Sequence, residues 1–201
     1  MRWFRAAART LPWRTDQNAW GLSLLEEPRP AAASSSFPAE GKDPEPPPRR
    51  DPYHTWIAEV MLQQTQVATV LEHYRRWMEC FPDVETLAAA REEDVLARWA
   101  GLGYYSRARN ILATARQVVS AHGGRFPRGR EGLLGLKGIG EYTAGAIASL
   151  AFDLPEPILD GNLVRVFSRL HGLAFLPDSA ARRQVYWDLA RRWVEAQVDE
   201  S

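Results

Sequence analysis

From Asp51 onward, apolar residues return every three or four positions. Trp56, Val60, Val67, Val70, Leu71, Tyr74, Met78 and Phe81 keep helical spacing, with a break expected near residues 63–65. Asp83 is placed to cap a short helix through Ala90, and another helix is expected over 92–100. Ser106 is placed to cap a longer helix through Ile111, Ala115, Val118 and Val119, ended by Gly123 and Gly124. Further helices are predicted over 131–136, 141–152, 163–170 and 179–198. The last of these carries Val185, Leu189, Trp193 and Val194 on one side, with Tyr186 and Trp187 adding apolar area. Strand-like alternation is missing, so the pattern predicts an all-α fold with short connections.

Residues 15–50 stand apart from this pattern. They hold Pro28, Pro30, Pro38, Pro44 and Pro46 to Pro48, together with the small-residue stretch 31–36, and no helical or strand period survives. Such a composition predicts a disordered, proline-rich insertion.

Composition narrows the chemistry. The formal net charge of the 201 residues is zero, so a nucleic-acid partner would have to be met by a local basic face. Lys42 and Lys137 are the only lysines, and arginine, which supplies the remaining positive charge, cannot form a Schiff base. Cys80 is the only cysteine, which excludes an intrachain disulfide and a cysteine-ligated cluster built from these residues alone. His54, His73, His122 and His171 show no metal-ligand spacing, and no site for a metal ion is expected. No stretch approaches a membrane span, and the Arg-rich start lacks the apolar run of a signal peptide, so a cytoplasmic, nucleoid-associated location is expected.

Four segments carry candidate chemistry. In Leu136-Lys137-Gly138-Ile139-Gly140-Glu141-Tyr142-Thr143-Ala144, two glycines flank an aliphatic residue between two short helices. Gly138 and Gly140 can take positive φ and leave backbone N–H groups open at a helix start, where they bind a phosphate oxygen without reading sequence. The alternative is an αα-hairpin with glycine caps. In the run from Glu59 to Gln66, Glu59 falls at the margin of a buried helix face, where a carboxyl group can have a raised pKa and act as an acid. A solvated helix glutamate is the plainer reading. Gln63 and Gln64 can fill the hole left by an extruded base, or simply lie on the surface.

Asp160, in Ile158-Leu159-Asp160-Gly161-Asn162, reads first as a helix N-cap; the same placement keeps it ionised beside a cleft, as stabilisation of a cationic intermediate requires. The fourth segment, Gly101-Leu102-Gly103-Tyr104-Tyr105-Ser106-Arg107-Ala108-Arg109, makes an aromatic turn followed by two arginines. It can be a stacking wedge with phosphate contacts, or a loop whose tyrosines fill a gap in the core.

Taken together and in this order, these strings resemble the helix-hairpin-helix DNA glycosylases of the endonuclease III superfamily, and within them the adenine DNA glycosylases. The resemblance runs from Asp51-Pro52-Tyr53 to about Leu170, with Leu11-Pro12-Trp13-Arg14 as an outlying piece. It implies a six-helix lobe over 51–154 with the hairpin and Glu59, and a partial second lobe over 155–201 with Asp160. Residues 1–14 would belong to that second lobe and the base pocket. Glu59 would protonate a flipped adenine, Asp160 would stabilise the sugar cation, and water would complete hydrolysis. Tyr142 stands where strand-cutting members of the superfamily carry a Schiff-base lysine, so a monofunctional enzyme is implied.

By the same resemblance Tyr104 and Gln64 would intercalate beside the lesion pair. Gln63, Arg107, Arg109, Gly138, Gly140 and Thr143 would also meet DNA, and Trp13, Arg14, Leu62 and Val67 would line the adenine pocket. The implied partner is double-stranded DNA containing adenine mispaired with guanine or 8-oxoguanine, with no membrane and no small-molecule substrate. Full-length relatives are expected to hold a [4Fe–4S] cluster, whose ligand cysteines these residues lack. Two other readings remain: an endonuclease III-like glycosylase of oxidised pyrimidines, and a non-catalytic DNA-binding remnant.

Overall fold

The computed structural model describes residues 12–14 and 50–198. The predicted insertion therefore lies almost entirely outside the described residues, as do most of residues 1–14 and the side chain of Arg14. The described residues form one 3-10 turn, Pro12–Arg14, and helices with no strand. The helices are α1 (Pro52–Leu62), α2 (Val67–Cys80), α3 (Val84–Ala89), α4 (Glu92–Trp99), α5 (Ser106–His122), α6 (Arg130–Leu134), α7 (Glu141–Leu150), α8 (Gly161–His171) and α9 (Ala180–Val198). The all-α expectation holds.

Local chemistry explains most boundaries. Pro52 opens α1 behind Asp51, whose carboxylate accepts from Tyr53 N at 2.7 Å and His54 N at 3.3 Å. Asp83 caps α3 through Thr86 N at 2.7 Å, and Gly123, in the left-handed region, ends α5. Ser106 does not cap α5. The helix begins one residue earlier than expected, because Arg107 N bonds to Tyr104 O (2.9 Å) and Arg109 N to Tyr105 O (3.1 Å), leaving Tyr105 as the cap residue without a side-chain bond.

Two apolar cores form. The larger gathers α1 to α7 around Trp56, Trp77 and Trp99, all fully buried. Burial of an indole requires a partner for its N–H. Trp77 Nε1 donates to the Tyr53 hydroxyl (3.2 Å), which donates to Phe81 O (2.7 Å). Trp13 belongs to this same core. It is 5% exposed and meets Tyr74 edge-on at 5.1 Å; the rest of the outlying N-terminal piece lies largely outside the described residues. The smaller core holds Phe167, Tyr186 and Ala190 between α8 and α9. Tyr186 is fully buried with its hydroxyl donating to Phe175 O at 2.6 Å, while Val185 and Trp193 are exposed.

The hairpin is α6, the loop 135–140 and α7, with Ile139 buried beneath the loop. It is braced from α5. Lys137 N donates to Gln117 Oε1 (2.9 Å), Gln117 Nε2 to Gly135 O (2.9 Å), and the Thr114 hydroxyl to Lys137 O. The two glycines differ, which sequence alone did not separate. Gly138 has φ 77°, and a Cβ there would lie 2.7 Å from Asn110 Cβ. Gly140 has φ −95° and open space around it, so the expected positive φ is confined to Gly138.

Two outcomes follow for stability. Gly138→Ala should destabilise by about 1–3 kcal/mol from left-handed strain and the Asn110 contact, whereas Gly140→Ala should stay within about 0.5 kcal/mol. Urea melts of the two variants make the comparison. Burial also pushes the Tyr53 and Tyr74 phenols well above the ordinary tyrosine range. An unfolded phenol ionises near pH 10 while these hold their protons, so stability should be unaffected below about pH 10 and fall as pH rises beyond it. Tyr53→Phe should flatten that fall in thermal melts taken between about pH 9 and 11.

Candidate functional site

Glu59 and Tyr142 lie 83 positions apart in the chain, yet Tyr142 Oη donates to Glu59 Oε2 at 2.9 Å. The two helices that carry them, α1 and α7, are packed against each other. Both residues are half-buried, as a carboxyl group at the margin of a buried face must be to remain reachable. The hydrogen bond fixes the rotamer of the carboxyl group and commits one of its oxygens to the phenol.

Asp160 occupies the N-cap of α8, where Oδ1 accepts from Leu163 N (2.8 Å) and Oδ2 from Asn162 Nδ2 (3.0 Å). The stretch leading to it runs back along α7. Leu154 N bonds to Ala148 O at 3.0 Å, and Pro157 O lies 2.5 Å from where a Cβ on Gly145 would stand. That order of contacts heads toward the start of α7, where Tyr142 sits.

Arg130 secures this path. It donates to Pro157 O (3.3 Å), pairs with Glu141 and with Glu156 (3.6 Å), and lies 5.1 Å from the ring of Trp187 on α9. Pairing also balances the Glu141 charge at the first turn of α7. The start of α7 has no side-chain cap, and the first bond of the helix runs from Ala144 N to Gly140 O (2.9 Å). The N–H groups of residues 141–143 precede that bond, the arrangement that receives a phosphate oxygen. Thr143 is 4% exposed, so any contribution to an anion there would come from its backbone N–H.

Gln63 and Gln64 are exposed in the break between α1 and α2, and Gln64 has φ 58°. Tyr104 is 67% exposed with φ 48°, at the tip of the turn that Gly101 (φ 97°) and Gly103 (φ 68°) allow. Leu62 and Val67 flank the first tip, half-buried against the large core. The two arginines behave differently. Arg109 is exposed and pairs with Glu92 at 2.9 Å. Arg107 turns inward: its guanidinium bonds to the carbonyls of Val60, Gln63, Leu102 and Gly103, and burial pulls its pKa down.

Sequence reasoning missed the brace made by Asn110, Thr114 and Gln117. The available signal was a polar stripe at helical spacing on α5, a helix otherwise apolar on that side. It also missed Arg130, which nothing in its surroundings marks. As for a cluster, Cys80 is the only thiol of the 201 residues and lies on α2, and among the described residues no three His, Cys, Asp or Glu side chains gather around a common point. That donor set does not fit an iron–sulfur cluster. Among the described residues no helix is long and apolar enough to cross a membrane.

Comparison with known proteins agrees with this geometry. Adenine DNA glycosylase of Rattus norvegicus is 48% identical over 147 residues, covering 73% of this chain and 28% of the relative. Adenine DNA glycosylase of Mus musculus is 41% identical over 196 residues, covering 97% of this chain and 33% of the relative. The chain thus spans about a third of the length of the curated relatives it matches. Among solved structures, a trapped endonuclease III–DNA covalent intermediate with an estranged adenine superposes with a TM-score of 0.62 at 26% identity, over 72% of each chain. The model of the HhH-GPD superfamily base excision DNA repair proteins matches residues 57–192, from the middle of α1 into α9, and the chain belongs to that superfamily.

Proposed function

We propose that the chain acts as a monofunctional adenine DNA glycosylase, hydrolysing the bond between deoxyribose and an adenine mispaired with guanine or 8-oxoguanine. The observation that carries this reading is the Tyr142–Glu59 hydrogen bond. In the proposed reaction Glu59 gives its proton to a ring nitrogen of the flipped adenine. The glycosidic bond breaks with its electron pair going to the base, and the base leaves neutral. The Asp160 carboxylate stabilises the positive sugar that remains. Water adds to the sugar carbon and its proton returns to Glu59, which restores the starting state. Paired carboxyl groups with opposite protonation needs serve glycoside hydrolysis in the same way.

Tyr142 supports the monofunctional part. A phenol has no amine with which to form a Schiff base, and here its hydroxyl is engaged in holding Glu59. Duplex DNA would be gripped at the uncapped start of α7, with Tyr104 and Gln64 as the exposed tips that enter the stack. Extrusion is required because the glycosidic bond cannot be reached inside the helix.

Single-turnover assays on duplexes containing adenine opposite 8-oxoguanine test the proposal. Glu59→Gln should slow adenine release by about 10²–10⁴-fold, with duplex affinity within a few-fold of wild type, since proton transfer is needed only in the transition state. Activity close to wild type would remove Glu59 from the mechanism. Release of an oxidised pyrimidine in preference to adenine would favour the endonuclease III-like reading. Borohydride should trap no adduct with the wild-type chain, and Tyr142→Lys should create one; a strong adduct from the wild type would exclude monofunctional chemistry.

A further inference from the structure

Arg107 is the second residue of α5, and its guanidinium lies between the two tips just described. One terminal nitrogen donates to Val60 O and Gln63 O, each at 2.8 Å, at the end of α1. The other donates to Leu102 O at 2.9 Å and Gly103 O at 3.4 Å, in the aromatic turn. Its carbon sits 5.2 Å from the Trp99 ring centroid and 5.6 Å from that of Tyr104. The last carbonyls of a helix have no partner within it, so those at the end of α1 are suited to an outside donor.

Two of the four carbonyls are placed in a telling way. Gln63 O belongs to the peptide leading into Gln64, and Gly103 O to the peptide leading into Tyr104. Gln64 and Tyr104 are the tips, and both hold left-handed φ, 58° and 48°, without being glycine. A left-handed residue that bears a Cβ is strained and persists only where its surroundings fix it. One side chain therefore fixes two strained positions that are otherwise far apart in the chain.

We propose that Arg107 is a positioning residue that locks the Gln64 and Tyr104 tips into a single two-pronged wedge, and that it is not a phosphate ligand. This rests on the reading of the chain as an enzyme that extrudes a base from duplex DNA. A phosphate contact needs only a positive charge, whereas the lock needs the guanidinium fork with donors on both sides. Arg107→Lys separates the two, because it keeps the charge and loses the fork. Arg107→Gln loses the charge as well as the fork, since its donors sit on a single nitrogen at the end of a shorter side chain.

The first measurement needs no DNA. Amide hydrogen exchange of the free full chain should show Arg107→Lys releasing both tips together, with the amides of Thr65 and Leu102 exchanging about tenfold faster and α2 and α7 unchanged. Arg107→Gln should do the same. Release of one tip alone, no release, or loss of protection throughout both variants would overturn the lock.

The second measurement uses a duplex with 2-aminopurine in place of the target adenine, whose fluorescence rises on unstacking. Arg107→Lys should lose most of that rise, while the slope of log affinity against log salt stays as in the wild type. Full retention of the signal by Arg107→Lys would overturn the proposal. So would a slope in Arg107→Gln lower by about one, the signature of a lost phosphate contact. If the wild-type chain unstacks no base, the glycosylase reading fails, while the exchange measurement still decides what Arg107 does.

Discussion

Helix α7 is buried on every side over Thr143, Ala144, Gly145, Ala146, Ile147 and Ala148, a run with no solvent face. A helix can be enclosed in this way only if its neighbours come close, and small side chains are what permit that approach. Against α1 the closeness lets the Tyr142 hydroxyl reach Glu59. Against the stretch 155–159 it lets the Pro157 carbonyl press where a Cβ on Gly145 would be. The same helix thus meets the acid through its first turn and the path to Asp160 through its second. A larger residue at 145 would push that path away from α7 without touching either carboxyl group.

The second lobe shows why this contact matters. Its core of Phe167, Tyr186 and Ala190 is small for two helices, and Leu170, Leu176 and Trp193 remain exposed around it. So little buried area gives weak independent stability, and the position of α8 depends on what ties it to the first lobe. Arg130 supplies one such tie, joining the hairpin helix to the Pro157 carbonyl and the Trp187 ring. Its pair with Glu156, both partners mostly buried, is less screened than that of a surface arginine, whereas Glu141 is 60% exposed.

Helices were legible in the sequence from their apolar period and, for several, an end signal: Asp83 and Asp160 as caps, and Gly123 as a stop. Ser106 misled because it is a good cap residue placed beside a turn that could itself start the helix through the Tyr104 and Tyr105 carbonyls. The pair Glu59 and Tyr142 was named from motifs, but their contact over 83 positions is a tertiary fact that no local pattern encodes. Gly138 and Gly140 look alike in sequence, and the positive φ of Gly138 and the nearness of Asn110 tell them apart. Arg107 and Arg109 likewise look like one basic pair. They lie two residues apart on a helix, about 200° around its axis, so one must face in if the other faces out.

That division of labour makes α5 more than a wall of the core. Its first turn carries Arg107, which grips the two tips, and its third and fourth turns carry Thr114 and Gln117, which hold the hairpin loop. Ten residues of helix separate Arg107 from Gln117, a rise of about 15 Å. A straight helix resists bending far better than a loop does, so the spacing between wedge and hairpin is set by the stiffest kind of element available. On the proposed function, one end of α5 would place the prongs in the base stack and the other would place the open N–H groups on the backbone. Sliding either element by one nucleotide would break the pairing of grip with wedge, which is reason enough for both to be anchored on a single helix.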